Sequence, residues 1–164
     1  RRSSYYLTCD RVNGVLTVYT DSTMRIPIKT IRVSVGKAGT ETPTGTWTMH
    51  RAGRWQELMG PSWGEYGTHV VNGIFVHSVA CGQANSYNLP VGEYLRLGNP
   101  ASHGCIRACV ADAKWVWDNC NGSKIHIFDG TYTSNEALKG PLGRKALTPL
   151  RGSKNFDPTD PACK

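Results

Sequence analysis

The amino-acid sequence predicts a mainly β protein, and three observations point to that class. Eighteen glycines and nine prolines in 164 residues favour frequent turns between short strands over long helices. Several short runs are rich in valine, isoleucine, threonine and tyrosine, which is the composition of strands. Only residues 109–122, CVADAKWVWDNCNG, place apolar residues at helical spacing. We therefore expect a β-rich globular protein with one clear helix.

The N-terminal part predicts strands joined by turns. Asn13 and Gly14 separate two β-rich runs in YYLTCDRVNGVLTVYT, and this pair favours a hairpin with a two-residue turn. Residues 28–36 alternate isoleucine and valine with polar residues, as a half-buried strand does. We expect residues 45–51, GTWTMHR, to be the partner strand, and the glycine- and proline-containing segment KAGTETPT predicts a turn between the two.

The middle of the chain predicts loops around one short strand. Residues 52–68 contain four glycines and two tryptophans without a regular period, and we interpret them as a long loop over a groove. Residues 72–78, NGIFVHS, predict a short apolar strand that ends with His77 and Ser78, at the kind of position where sites are often built. Residues 81–100 are typical of a loop, with one short element at EYLRL.

The last third predicts a helix, a strand and a tail. The helix at residues 109–122 ends in Asn121 and Gly122, which favour a left-handed cap. The segment KIHIF then predicts a final strand. Residues 130–164 are rich in proline, glycine, serine and threonine without periodicity, so we expect an extended tail packed on a single domain that spans residues 1–164.

Charge and hydropathy narrow the classes of partner. The chain has 19 basic and 12 acidic residues, a formal net charge of +7, which favours anionic partners. The basic residues are scattered and match no nucleic-acid-binding module, so we expect a solvated basic surface and no nucleic-acid partner. No run approaches the ~18 apolar residues of a membrane span. The first residues lack a secretory signal's apolar stretch, so we interpret the chain as a mature or excised part.

Six cysteines leave the redox state open. They suit an extracellular chain with one or two disulfides, or a reduced chain with catalytic or metal-binding thiols. Cys109 and Cys120 are about 16 Å apart on the predicted helix at roughly 1.5 Å per residue, too far for a disulfide. Two pairs remain as candidates. Cys9 with Cys163 would attach the tail to the first strand, and Cys81 could meet Cys109.

The sequence ASHGCIR, residues 101–107, contains the parts of a thiol acyl-transfer site. Cys105 can act as a nucleophile. Gly104 has no Cβ, so a substrate can come close, and the amides of Gly104 and Cys105 can donate to an oxyanion. The N-terminus of the following helix favours a lowered thiol pKa. We therefore expect Cys105 to ionise readily.

A histidine is needed as the base for such a thiol. His77 ends a predicted strand, and a strand packed beside residues 101–107 would bring its ring to the sulfur. The backbone carbonyl of Ser78 could accept the other ring N–H and so fix the tautomer. His103 is two residues from Cys105 and shares its face of an extended segment. The other histidines are interpreted as surface or satisfied core residues, namely His50, His69 and His126.

An HS pair after an apolar strand, followed by SHGCIR, is similar to the signature of the L,D-transpeptidase catalytic domain, the YkuD-type family. The segment VSVGKAGTETPTGTWTM resembles the family's strand, turn and strand, and DAKWVWDNC resembles the helix that follows its cysteine. The likeness covers nearly the whole chain. It implies a β-sandwich of this type with one helix after Cys105. We expect no cofactor, no metal ion and a monomer.

The resemblance implies a peptidoglycan enzyme. Cys105 would attack the L,D-peptide bond before the terminal D-Ala of a tetrapeptide stem and pass the acyl group to a side-chain amine of another stem, making a 3→3 cross-link. By position, Cys105 is the nucleophile, His77 the base and Ser78 its backbone partner, while Gly104 and Cys105 supply oxyanion amides. Supporting or substrate-binding roles are expected for His103, Ser102, Arg107, Tyr66 and Trp63.

The same likeness implies that carbapenems acylate the cysteine. It also implies a location on the outer face of a bacterial membrane or in the cell wall, secreted or anchored through a segment outside this sequence. Partners would be peptidoglycan stem peptides.

Three alternatives stay open. Water could replace the amine acceptor, which would make the protein an L,D-carboxypeptidase. The histidines and cysteines around Cys105 could form a zinc cluster, although the HxC and CxxxC spacings differ from the CxxC pairs of structural zinc sites. A basic β domain with exposed tryptophans could also be a non-catalytic wall-binding module.

Overall fold

The computed structural model describes residues 4–59, 62–152 and 154–163, and strands dominate it. The strands are β1 (Tyr6–Asp10), β2 (Val15–Tyr19), β3 (Pro27–Arg32), β4 (Gly45–Thr48), β5 (His50–Arg51), β6 (Trp55–Leu58), β7 (Ser62–Glu65), β8 (Thr68–Val71), β9 (Ile74–Ser78), β10 (Ile106–Ala108) and β11 (Lys124–Phe128). The helices are α1 (Val91–Leu95), α2 (Val110–Asn119) and a 3₁₀ helix (Glu136–Leu138). The mainly β prediction is confirmed, with α1 as a second, shorter helix.

Two sheets form the layers of the protein. The larger sheet has the order β3-β2-β1-β11-β4, and the smaller one has the order β10-β9-β8-β5. A two-stranded ribbon of β6 and β7 lies beside them. The core joins both sheets, because fully buried Leu7 and Ile125 of the larger sheet share one cluster with Val76 and Ile106 of the smaller sheet. This shared apolar layer is the interior of the predicted sandwich.

The first hairpin is present, but its turn is longer than two residues. Asp10 pairs with Val15, so four residues connect β1 to β2, and the Gly14 N–H donates to the Asp10 carbonyl at 3.0 Å. The Asp10 carboxylate also accepts the backbone N–H of Val12 at 2.9 Å. Gly14 has φ of +61°, and a Cβ there would be 2.4 Å from the Gly98 carbonyl oxygen. This close approach requires glycine.

The predicted pairing of residues 28–36 with residues 45–51 is wrong. β3 pairs with β2, while β4 pairs with β11 and β5 pairs with β8. The chain after β3 leaves the larger sheet, since Ser34 bridges Arg107 and Gly36 bridges Ser102 in the 101–107 segment. The chain therefore returns on the far side of β11 instead of beside β3.

The predicted loop at residues 52–68 is also wrong, because it contains the antiparallel β6–β7 hairpin. A half-buried strand is recognised in sequence by alternating apolar and polar side chains. The residues of this hairpin lack that alternation. Gly64 in particular packs on the ring of His77, where an alternating pattern would place a larger side chain. The strand at residues 74–78 is confirmed as β9.

The predicted helix is confirmed as α2, which buries Val110, Ala113 and Val116. The C-terminal tail provides its N-terminal caps. Asp157 accepts the Val110 N–H at 2.8 Å, and the Thr159 hydroxyl accepts the next amide of the helix at 3.0 Å. Apart from the 3₁₀ helix, the described residues of the tail form no helix or strand and contain several turns.

The two candidate disulfides are not formed, because all six cysteines are free thiols. Cys9 lies fully buried in the core cluster of the sheets, whereas the Cys81 thiol is directed to the carbonyl of Gln83 at 3.0 Å. Cys109 contacts Asp112 instead of Cys81, with Sγ and Oδ2 at 3.2 Å, and Cys163 has no disulfide to Cys9. In the described part of the chain, every helix is too short or too polar to cross a membrane.

Candidate functional site

Two neighbouring parallel strands, β9 and β10, bring the predicted thiol and imidazole together. Their register places His77 opposite Arg107 and Val76 opposite Ile106. Because side chains alternate along an extended chain, Cys105 belongs to the same face as Arg107 and hence as His77. The alternate residues Val76 and Ile106 point into the core, where they are at most 1% exposed.

A cleft of about 820 Å³ opens over this shared face. The 101–107 segment and β9 line one part of it, and the β6–β7 hairpin lines another. Four of the predicted residues besides Cys105 contact the cleft, namely His77, Ser102, His103 and Arg107. Further lining residues include Glu41, Glu57, Leu58, Met59, Ser62 and Asn72, none of which was predicted from the sequence.

The Cys105 thiol contacts the backbone of the β8–β9 turn and of the start of β9. The Phe75 N–H donates to Sγ at 3.4 Å, and the Gly73 carbonyl oxygen is 3.6 Å from the same sulfur. Burial raises the pKa of the thiol, and the Phe75 N–H and the positive charge of Arg107 offset this only in part. Burial therefore opposes the ready ionisation that the sequence predicts for Cys105. The N-terminal N–H groups of α2 are capped by the tail and begin five residues further along the chain.

His77 is buried and neutral. Its Nδ1 donates to the carbonyl oxygen of Ser78, and the ring packs against Gly64. Burial lowers the pKa of His77 to about 4; the hydrogen bond to Ser78 opposes this shift, and Arg107 adds to it. A neutral imidazole that donates through Nδ1 carries its lone pair on Nε2. The ring is thus able to accept a proton at Nε2.

The SHGC segment is tied down by side-chain hydroxyls. The Gly104 N–H donates to Ser102 Oγ at 3.1 Å, and this hydroxyl donates to the Cys105 carbonyl at 2.6 Å. The Gly104 amide is therefore occupied, which contradicts its predicted role as an oxyanion donor. Thr42, which sequence reasoning missed, donates from Oγ1 to the Gly104 carbonyl at 2.6 Å. Its proximity in space, across 62 residues, has no local signal in the sequence.

Arg107 lies at one side of the cleft with part of its guanidinium paired. Nη1 donates to Glu93 Oε1 at 2.8 Å, while Nε is buried without a hydrogen-bond partner in the described structure. Arg107 thus brings a positive charge to the lining of the cleft. His103 is exposed on the same cleft.

The two aromatic candidates for substrate binding do not line the cleft. Tyr66 is 6% exposed, with its ring 5.4 Å from that of Trp117 and 4.2 Å from the guanidinium of Arg54. Trp63 pairs with Glu57 across the ribbon. Strand pairing that the sequence did not reveal places Leu58, Met59 and Ser62 at the cleft instead.

The candidate zinc ligands are not gathered at one point. Within residues 4–59, 62–152 and 154–163, no group of three histidine, cysteine or acidic side chains is arranged to hold a metal ion. The Cys81 thiol is directed to backbone carbonyls, and the Cys109 thiol to Asp112.

One family model matches most of the chain. Residues 4–137 match the family model described as L,D-transpeptidase catalytic domain, YkuD. A stretch of 27 residues, 16% of this chain and 14% of the relative, is 59% identical to YciB of Bacillus subtilis (strain 168), whose name marks it as a candidate L,D-transpeptidase.

Solved structures share the fold at low sequence identity. An L,D-transpeptidase from Mycobacterium tuberculosis H37Rv superposes with a TM-score of 0.59 at 19% identity, over 77% of this chain and 58% of that one. L,D-transpeptidase 3 from Mycobacterium tuberculosis, solved with a faropenem-derived adduct, gives 0.57 at 17% identity, over 77% and 60%. The chain thus spans about three-fifths of the length of these solved relatives.

Proposed function

We propose, from the premise that this chain belongs to the L,D-transpeptidase catalytic domain family, that it cross-links peptidoglycan stem peptides through an acyl-enzyme on Cys105. The observation that carries the proposal is the shared face of β9 and β10. It gives one cleft a thiol and a neutral imidazole with a free Nε2 lone pair.

In the first half-reaction, Sγ of Cys105 attacks the carbonyl carbon of the L,D-peptide bond of a tetrapeptide stem. The thiol proton moves to Nε2 of His77 as the C–S bond forms. Collapse of the tetrahedral intermediate breaks the C–N bond, and the proton on His77 goes to the departing amine of D-Ala. The product is a thioester on Cys105.

In the second half-reaction, a side-chain amine of another stem attacks the thioester. His77 accepts a proton from this amine and returns it to the Cys105 sulfur as the C–S bond breaks. The new amide is the cross-link. Burial raises the pKa of the thiol and lowers that of the imidazole, which favours the neutral form of each group. This favours a step in which proton transfer accompanies attack over one that starts from a thiolate–imidazolium pair.

Product analysis with purified disaccharide-tetrapeptides tests the proposal. Mass spectrometry of a reaction with the wild-type protein should show cross-linked dimers and released D-Ala, and Cys105→Ala should give neither. Trimmed tripeptides without dimers would replace the proposal with an L,D-carboxypeptidase. Unchanged substrate, with retained binding to cell-wall material by both proteins, would favour a non-catalytic binding module.

Two further parts of the proposal concern inhibitors and location. The faropenem-derived adduct of L,D-transpeptidase 3 supports acylation of Cys105 by β-lactams here, with a strained amide in place of the L,D-peptide bond. A peptidoglycan substrate places the working protein outside the cytoplasmic membrane. Fractionation of the producing cells should recover it from the envelope or medium, and recovery from the cytoplasm alone would contradict this.

A further inference from the structure

Thr42 has a hydroxyl whose hydrogen bonds have fixed directions. The residue is fully buried, and its Oγ1 accepts the Gly36 N–H at 2.9 Å. The same oxygen donates to the Gly104 carbonyl at 2.6 Å, and this carbonyl can only accept. The Thr42 hydroxyl therefore holds the carbonyl of Gly104 on the buried side of the SHGC segment.

The direction of that carbonyl determines the direction of the next amide. A trans peptide group is planar, so its C=O and N–H point to opposite sides. With the Gly104 oxygen held by buried Thr42, the Cys105 N–H points away from Thr42. Cys105 itself lines the cleft. Its amide has no hydrogen-bond acceptor within the described residues.

Two neighbouring backbone groups of the segment are already hydrogen-bonded. The Gly104 N–H and the Cys105 carbonyl are both bonded to Ser102 Oγ. Among the N–H groups of the SHGC segment, those of His103 and Cys105 have no hydrogen-bond acceptor within the described residues, and the Cys105 N–H belongs to the peptide that Thr42 holds.

A constraint is needed here because glycine permits other peptide orientations. Gly104 has φ of +129°, which L-residues rarely adopt, and it has no Cβ to resist rotation of the following peptide. Rotation of the Gly104–Cys105 peptide would exchange the positions of its C=O and N–H. A carbonyl oxygen would then face the site at which negative charge develops.

We infer that Thr42 is a positioning residue, which holds the Gly104–Cys105 peptide so that the Cys105 N–H donates to the oxyanion of the acyl-transfer intermediate. The inference rests on the proposed function, since it assigns a donor to that reaction. It also replaces the Gly104 amide, which is bonded to Ser102.

Two reactions of the same thiol separate this role from general support of the fold. Acylation by a carbapenem develops an oxyanion and requires the donor, whereas alkylation by iodoacetamide develops none. Both rates are measured by intact mass on wild type, Thr42→Val and Thr42→Ser. The matched control is Thr40→Val, which removes a hydroxyl of the same loop that donates to the Ser102 carbonyl at 3.0 Å.

We expect Thr42→Val to lower the acylation rate about 10²-fold, as loss of an oxyanion donor does, while alkylation changes less than about threefold. Thr42→Ser restores the hydroxyl, so it and Thr40→Val should keep both rates near wild type. Equal losses of acylation and alkylation in Thr42→Val, or no loss of either, would overturn the inference.

Near-ultraviolet circular dichroism checks that each variant is folded. Should Thr42→Val lose the wild-type spectrum, Thr42→Ala is measured in its place, and the same ratio of rates decides. A wild-type protein that is alkylated, but neither acylated by a carbapenem nor able to release D-Ala from disaccharide-tetrapeptides, would refute the proposed function and the inference together. For a wild type that releases D-Ala without a carbapenem adduct, the rate of D-Ala release replaces the carbapenem rate in the same comparison of variants. A wild type that is acylated, beside an equally active Thr42→Val, refutes the inference alone.

Discussion

The cleft has a motif wall, residues 102–107, and a hairpin wall formed by β6 and β7, and the two are held in different ways. In the motif wall, buried hydroxyls of Ser102 and Thr42 bond the backbone of the SHGC turn. In the hairpin wall, main-chain pairing carries side chains such as Met59, which is 87% exposed. The reactive Cys105 thus belongs to the wall whose backbone is fixed by hydrogen bonds, whereas the hairpin wall provides apolar contact surface.

The largest expected effect is at His77, on strand β9 beside the motif wall. His77→Ala removes the base, so carbapenem acylation of Cys105 should slow by about 10²-fold or more. Stopped-flow or intact-mass kinetics give the rate, and His50→Ala is the matched control because His50 is exposed and outside the cleft. An equal loss of acylation rate in both variants would show that His77 has no specific role in the reaction.

The second-largest effect is expected at Gly64, where the hairpin wall contacts the ring of His77. A Cβ at Gly64 would come within 2.5 Å of His77 Nδ1. Gly64→Ala should therefore displace the ring, reduce acylation more than tenfold and lower the free energy of unfolding by about 1–3 kcal/mol. Denaturant unfolding and acylation kinetics measure both. Gly92→Ala is the control, since a Cβ there meets nothing within 4 Å. It should leave acylation unchanged and, because Gly92 lies in helix α1, should not lower the free energy of unfolding.

The third effect concerns the end of the hairpin wall, where Glu65 lies beside Asp160 of the tail. Burial and the Asp160 carboxylate raise the pKa of Glu65 to about 7, against the favourable contact with Arg54. The folded state thus holds the Glu65 proton more tightly than the unfolded chain does. This contribution to stability is complete below the ordinary pKa of a glutamate and is lost as pH rises through about 7.

Glu65→Gln should remove that loss. The free energy of unfolding of the variant minus that of wild type should increase by about 1 kcal/mol from pH 5 to pH 8, allowing for solvent screening. Urea unfolding at both pH values provides the measurement, with Glu57→Gln, an exposed change on the same ribbon, as the control. A difference in free energy of unfolding that is the same at both pH values would contradict the raised pKa of Glu65.

The smallest effect is expected at the tip of the hairpin wall. Met59→Ser removes exposed apolar contact surface without touching Cys105 or His77. The KM for a disaccharide-tetrapeptide should rise by a few-fold while kcat stays near wild type. Steady-state kinetics distinguish the two parameters, and a fall in kcat with unchanged KM would place Met59 in the chemistry.

The motif wall could be predicted from sequence because residues 102–107 are consecutive. Strand β9, which carries His77, and helix α2 also have local signals, and both lie where the sequence predicts them. The position of Thr42 could not be predicted, since its bond to Gly104 depends on how the chain crosses between sheets.

The hairpin wall could not be predicted for a related reason. Residues 55–65 have no alternating pattern, because Gly64 accommodates a histidine ring from another strand. Because the hairpin has no local signal, the sequence points to Tyr66 and Trp63 as substrate-binding residues, whereas the structure places Leu58 and Met59 at the cleft. The predicted ready ionisation of Cys105 is opposed by burial, which is a tertiary property without a local signal in the sequence.

The central claim, that Cys105 is the acyl-transfer nucleophile of this cleft, is tested most directly by intact-mass analysis after exposure to a carbapenem. The account predicts a single adduct on the wild type and on Cys109→Ala, whose thiol lies outside the cleft. It predicts no adduct on Cys105→Ala, and peptide mapping should place the wild-type adduct on Cys105. An adduct that persists in folded Cys105→Ala would contradict the claim, because another nucleophile would then have been acylated.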